Sequence, residues 1–216
     1  MKKLFPPLFF LAIVFVFPFR AEAVTASAWL DGRGRDLIRA VSRQDGAARY
    51  AETKKILLSS FHEKEFSRLV LGRIKSSFSA EQIGRYNALF LDFLLSKYIA
   101  SPIPVKDVDF TIGEQMPSGK DVLVKVNLKA TAEFKTLQEE GKTVSSDMTF
   151  ETIFALRADG NDWYIRDVQI EGKSMLITLR KDMERQYDKF YGSPDDLLQY
   201  MDTQTQKFKR KLNIVQ

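Results

Sequence analysis

The chain has one histidine, His62, and no cysteine. His62 opens the run His62-Glu63-Lys64-Glu65-Phe66, which has the start of the zinc-protease helix motif. Phe66 stands where the second histidine ligand would have to be. With no thiol, neither a Cys–His nucleophile nor a cysteine zinc site can be built. Gly141-Lys142-Thr143 has the ending of a phosphate-binding loop, but the first glycine of that loop would fall at Thr136, and no helix follows to receive phosphate. Gly32-Arg33-Gly34 lacks the third glycine of a dinucleotide fingerprint and follows no strand. Asp92, Asp107 and Asp167 are carboxylates with no partner visible in the sequence. His62 reads as solvated or structural, beside a Ser60/Glu63 capping box at a helix start. No catalytic residue and no metal ligand is assigned, and the expectation is a protein that is not an enzyme.

The elements around these residues begin with a leader. Lys2 and Lys3 are a positive start, residues 4–19 are apolar, and Ala21-Glu22-Ala23 has the small-x-small form of a cleavage site. The apolar stretch is interrupted by Pro6, Pro7 and Pro18 and falls short of the roughly 20 residues a spanning helix needs. Residues 1–23 are therefore expected to be a removed signal peptide, and Val24 the new N-terminus. Lacking cysteine, the exported protein folds without disulfides and carries no lipoprotein acyl anchor. The net charge of +5 is mixed in sign along the chain, which is a solvated surface and not a nucleic-acid footprint.

Two regimes follow, helical to about Ser101 and β-rich to about Gly172, closed by a helical tail. Phe66, Leu69, Val70, Ile74 and Phe78 recur at helical steps and predict one buried helix face. Ser79-Ala80-Glu81-Gln82 is a capping box for the next helix, whose run from Leu89 to Leu95 has one polar residue and predicts contacts on more than one side. Pro102 and Pro104 stop it. Period-two alternation through Val108–Ile112, Val122–Phe134, Val144–Leu156 and Trp163–Ile170 predicts four antiparallel strands, with turns at Pro117-Ser118-Gly119 and Asp159-Gly160. Ser174 caps a helix bearing Leu176, Leu179, Met183, Tyr187 and Phe190, and Ser193-Pro194-Asp195-Asp196 starts the last one. The expected fold is α+β, with N-terminal and C-terminal helices packed on one curved antiparallel sheet of about four strands.

The segment from Trp163 to Ser174, with Asp167-Val168 and Glu171-Gly172-Lys173-Ser174 followed by Arg180, resembles the signature of the MlaC family, also called the toluene-tolerance family. Val70-Leu71-Gly72, the Ser79 capping box and the run Phe90, Phe93, Leu94, Leu95 and Tyr98 are similar to it as well. Lys173, where the family is often apolar, and Leu179, where it has an aromatic, depart from the pattern. The resemblance implies a periplasmic, monomeric carrier of residues 24–216 with an apolar cavity holding phospholipid acyl chains, the headgroup outside. It further implies transient partners: an outer-membrane lipoprotein–porin complex and an inner-membrane complex with an ABC transporter. It implies no cofactor beyond that lipid. A carrier for another exported lipid such as a hopanoid, a hydrolase, and a structural module are the alternatives.

Within such a cavity, the inward faces of strands and helices assign the lining to Val70, Ile74, Phe93, Val126, Leu128, Phe150, Phe154, Met175, Leu176, Leu179 and Met183. Lys125, Lys129, Arg166, Lys173, Arg180 and Lys181 are the expected docking charges.

Overall fold

The computed structural model describes residues 24–98, 108–130, 134–135, 143–144 and 148–214. The expected signal peptide, the Pro102 and Pro104 helix stop, Asp107 and the Gly141-Lys142 turn lie outside them.

Four N-terminal helices come first: α1 (Ala26–Val41), α2 (Gly46–Ser60), α3 (Glu63–Leu71) and α4 (Ala80–Tyr98). Strands β1 (Val108–Ser118), β2 (Asp121–Ala130), β3 (Phe134–Lys135), β4 (Thr143–Val144), β5 (Thr149–Asp159), β6 (Asp162–Ile170) and β7 (Lys173–Ser174) follow, and α5 (Met175–Lys189) and α6 (Pro194–Lys211) close the chain. The main sheet is antiparallel in the order β1-β2-β5-β6-β7, and β3 and β4 form a separate two-stranded ribbon. The four predicted strands thus become a five-stranded sheet whose fifth member is only the two residues before α5.

Local chemistry explains most helix boundaries. Ser79 Oγ accepts from the Gln82 amide at 3.2 Å while Gln82 Oε1 accepts from the Ser79 amide at 2.9 Å, the reciprocal box that starts α4. Ser174 and Ser193 accept from Ile177 and Asp196 amides and start α5 and α6. Asp45 does the same for α2 through Ala48. The Ser60/Glu63 box does not form. Ser60 Oγ donates back to the Ile56 carbonyl at 2.7 Å, because Ser60 is still helical in α2, and α3 starts at His62 without a side-chain cap. The helix predicted through Phe66 and Phe78 also ends early. Gly72 adopts φ 53°, and the chain continues to Ser77 as a 3-10 segment.

Three apolar clusters hold the layers. Val70, Leu71, Phe90, Phe93, Met183, Leu197, Leu198 and Met201 join α3, α4, α5 and α6. Trp29 and Leu30 of α1 sit on Val124, Val126, Leu156 and Ile165 of the sheet. Tyr50, Leu91, Leu95 and Phe208 join α2, α4 and α6. Each fully buried large side chain contributes about 1.5–3 kcal/mol. Helix α4 feeds two clusters from opposite faces, as its one-polar-residue run requires. No described helix is long and apolar enough to cross a membrane.

Candidate functional site

Between α2, α4 and the sheet the clusters do not meet, and a cavity of about 440 Å³ remains. Helix α2 borders it with Arg49, Thr53 and Leu57, four-residue steps that place them in one row, and Phe61 borders it from the extended position just past the helix end. Phe90, Leu91, Leu94 and Leu95 of α4 stand across from it, with Leu37 and Val41 from the end of α1. Phe154 of β5 and Ile165, Val168 and Ile170 of β6 form the floor, and Met175 and Leu179 of α5 close one side. The floor depends on a bulge. Leu156 pairs with Ile165 but Ala155 pairs with Asp167, so Arg166 is an extra residue, and parity switches between Ile165 and Val168. Without it, odd and even positions could not face one cavity.

The position of α5 is fixed by Asp167. Its Oδ1 accepts from the Leu176 amide at 3.0 Å and from Val168 at 2.8 Å, tying the helix start to the edge of β6. Asp92, likewise without a partner in the sequence, is clamped by Lys54 at 2.5 Å and Lys209 at 2.6 Å. Burial pushes its carboxyl up, but the two lysines outweigh that and hold it below the usual aspartate value. This links α2, α4 and α6 behind the cavity. His62 stacks on Tyr164 at 3.6 Å between ring centres, with Nε2 3.1 Å from Asp159, and it does not border the cavity. Among the described residues no group of three or more His, Asp or Glu side chains could hold a metal ion.

The expected lining residues divide. Phe154, Met175 and Leu179 border the cavity. Val70, Ile74, Phe93 and Met183 are buried in the α3–α4–α5–α6 cluster, to which α6 contributes Leu197, Leu198 and Met201, and Val70, Phe93 and Met183 also border a small cleft with Leu94, Leu179, Asp182 and Gln186; Leu176 packs against the same cluster. Val126 is buried under α1 and Leu128 packs beside it. Phe150 is half-buried near the start of β5 and is not part of the lining. Periodicity marks an inward face but carries no information on which inward faces border the cavity. The cavity is also bordered by residues outside the expected set, those of α2, the second face of α4 and the β6 floor. The wide apolar run of α4 was the available signal for the second face.

Two of the expected docking charges serve inside the chain. Arg166 pairs with Glu65 of α3, and Arg180 Nε donates to the Leu69 carbonyl at 2.9 Å. The β6 bulge and the approach of α5 to α3 turn these side chains inward. Lys125 pairs with Glu151 at 2.7 Å on the surface, and Lys129, Lys173 and Lys181 are exposed.

A family model described as MlaC protein matches residues 36–203. No curated protein matches the chain. Among solved structures, a phospholipid-binding protein from Ralstonia solanacearum in complex with a phospholipid is similar, with a TM-score of 0.63, 15% identity, and coverage of 86% of this chain and 99% of that one. That likeness is one of fold. The family match begins inside α1, runs through every lining element and ends within α6, and on that span the chain belongs to the MlaC family.

Proposed function

We propose that this protein is a periplasmic phospholipid carrier that takes acyl chains into the cavity between α2, α4 and the sheet. The observation that carries the reading is the cavity itself: about 440 Å³ bordered by nineteen residues, of which Arg49, Thr53 and Glu63 alone are polar or charged. A cavity of this chemistry suits apolar ligands such as methylene chains. Family membership and the phospholipid bound to the structurally similar protein support the same ligand. Two acyl chains with roughly 30 methylenes, at about 0.8 kcal/mol each, make bare transfer through water cost more than about 20 kcal/mol. An apolar cavity lowers that barrier by keeping the chains out of water.

The finer reading is a shuttle that exchanges lipid with an outer-membrane lipoprotein–porin complex and an inner-membrane complex containing an ABC transporter. Direction and energy then come from those complexes. Its surface charges, Lys125, Lys129, Lys173 and Lys181, suit salt-sensitive and reversible docking.

The test is mass spectrometry of the organic extract of protein purified from its native host. Stoichiometric phospholipid is expected. A hopanoid in its place would move the assignment to another exported lipid, and an extract with no stoichiometric lipid would overturn it.

A further inference from the structure

The row that borders the cavity, Arg49, Thr53 and Leu57 of α2 with Phe61 just past its end, is chemically graded from a guanidinium through a hydroxyl to two apolar side chains. At 1.5 Å per residue the helical part of the row, from Arg49 to Leu57, extends about 12 Å. Its polar end holds unsatisfied groups. Thr53 is 2% exposed, and its Oγ1 has no hydrogen-bond partner among the described residues. Arg49 Nε is also buried without one, although Nη1 donates to the Arg43 carbonyl at 2.9 Å. The neighbouring Arg43 is held by Glu52, whereas Arg49 has no ion pair among the described residues. Trp29, Tyr86 and Thr152 also hold buried polar atoms without a partner among the described residues, but none of them borders the cavity. Buried donors are nearly always satisfied, so two on one helix face and beside one cavity point to a ligand acceptor. The lone carboxylate of the lining, Glu63, lies past the opposite end of the row.

We infer that Arg49 and Thr53 are a polar anchor for the bound lipid, donating to an ester-carbonyl or phosphate oxygen while an acyl chain runs along Leu57 and Phe61. This rests on the reading of the cavity as a phospholipid site and adds the depth and direction in which the lipid lies. The guanidinium at the start of α2 matches an oxygen-rich group in charge, and Glu63 disfavours the reverse orientation of an anionic lipid. Thr53 has a second consequence. Valine has the same shape without the hydroxyl, so Thr53→Val relieves an unsatisfied group in the empty protein and removes a contact in the loaded one.

The experiment uses delipidated full-length protein in which residues 24–216 are intact. Affinity is measured for diphenylhexatriene, a pure hydrocarbon probe, and for dipalmitoyl phosphatidylglycerol by displacement of that probe. Arg49→Met and Thr53→Val are each expected to weaken phosphatidylglycerol about tenfold, equivalent to about 1.4 kcal/mol, and to leave the hydrocarbon within about twofold. Arg49→Lys should recover part of the loss. Thr53→Val should raise the lipid-free melting temperature, which also keeps the test alive if Arg49→Met folds poorly. A diether analogue lacks the ester carbonyl and dipalmitoylglycerol lacks the phosphate. A loss that persists with the diether assigns the phosphate, and one that persists with the diacylglycerol assigns the carbonyl. Wild-type affinity for phosphatidylglycerol in both variants overturns the anchor but leaves the cavity reading standing, as does an equal loss of hydrocarbon and lipid. Wild-type protein that binds neither probe overturns the cavity reading itself.

Discussion

A glutamate at Leu57 separates a lipid cavity from a packed core more sharply than any truncation. Leu57 is half-buried on α2, one turn beyond Thr53, and borders the cavity; Leu198 of α6 has no exposed surface and lies inside the largest cluster. In Leu198→Glu the carboxylate meets only packed side chains. The lost leucine contacts and the buried charge together exceed about 5 kcal/mol, comparable with the whole stability of a domain at about 5–15 kcal/mol. In Leu57→Glu the carboxylate faces about 440 Å³ of space, room for roughly 15 waters at about 30 Å³ each, and it stays hydrated when lipid is absent. The cost is then the leucine's partial burial alone, about 1 kcal/mol. With lipid bound, that water has to leave, and an unpaired carboxylate against acyl chains costs several kcal/mol, a loss of at least about a hundredfold in affinity. Circular dichroism melts and lipid content by mass spectrometry read the two effects separately. Leu57→Glu should melt within a few degrees of wild type and carry no lipid, while Leu198→Glu should not fold. Unfolding of both would mean that the α2–α4 space is filled core, and the reasoning would fail.

Three further outcomes follow from the same contacts. Asp92→Asn leaves Lys54 and Lys209 without their counter-charge and should cost about 1–3 kcal/mol in urea melts, nearer the low end because the Lys54 side chain remains 34% exposed. Because the folded Asp92 carboxyl lies below its unfolded value of about 3.9, its contribution is complete at neutral pH. It is lost as the pH falls below about 4 through the folded value, and the asparagine variant should show a shallower acid decline over that window. Gly72→Ala should cost more than about 1 kcal/mol, since φ is 53° there and the added Cβ would sit 2.7 Å from Arg180 Cδ; a neutral result in thermal melts would count against the α3–α5 contact. Intact mass of exported protein should correspond to a start at Val24, and retention of residues 1–23 would refute the signal-peptide reading.

Elements whose signal is local were legible. The Ser79, Ser174 and Ser193 caps and the alternation of Val122, Val124 and Val126 arise from contacts within a few residues, and each forms where its pattern lies. Signals that need a partner were not. Ser60 and Glu63 have the spacing of a capping box, yet Ser60 remains in the preceding helix, and the competing Ile56 carbonyl takes its hydroxyl. Phe66 and Phe78 have helical spacing, but Gly72 lies between them and ends α3. Arg166 occupies a bulge that no alternation count reveals, because the extra residue is defined by its pairing to Ala155 and Leu156.

The lining residues show why an inward face and a cavity wall differ. Met183 and Met175 lie on the same short helix and are both apolar, yet Met183 is 3% exposed within the α3–α4–α5–α6 cluster and Met175 borders the larger cavity. Leu197, Leu198 and Met201 of α6 belong to the cluster that holds Met183, and none of them borders the cavity beside Met175. Nothing in the spacing of α5 encodes the reach of α6. The polar residues are more informative than the apolar ones here, because burying an unsatisfied donor is disfavoured and a folded chain tolerates it only where something compensates. Arg49 and Thr53 interrupt the row that continues as Leu57 and Phe61. An interior row that turns polar at one end has the pattern of an amphiphile, and a filled core would have no use for it.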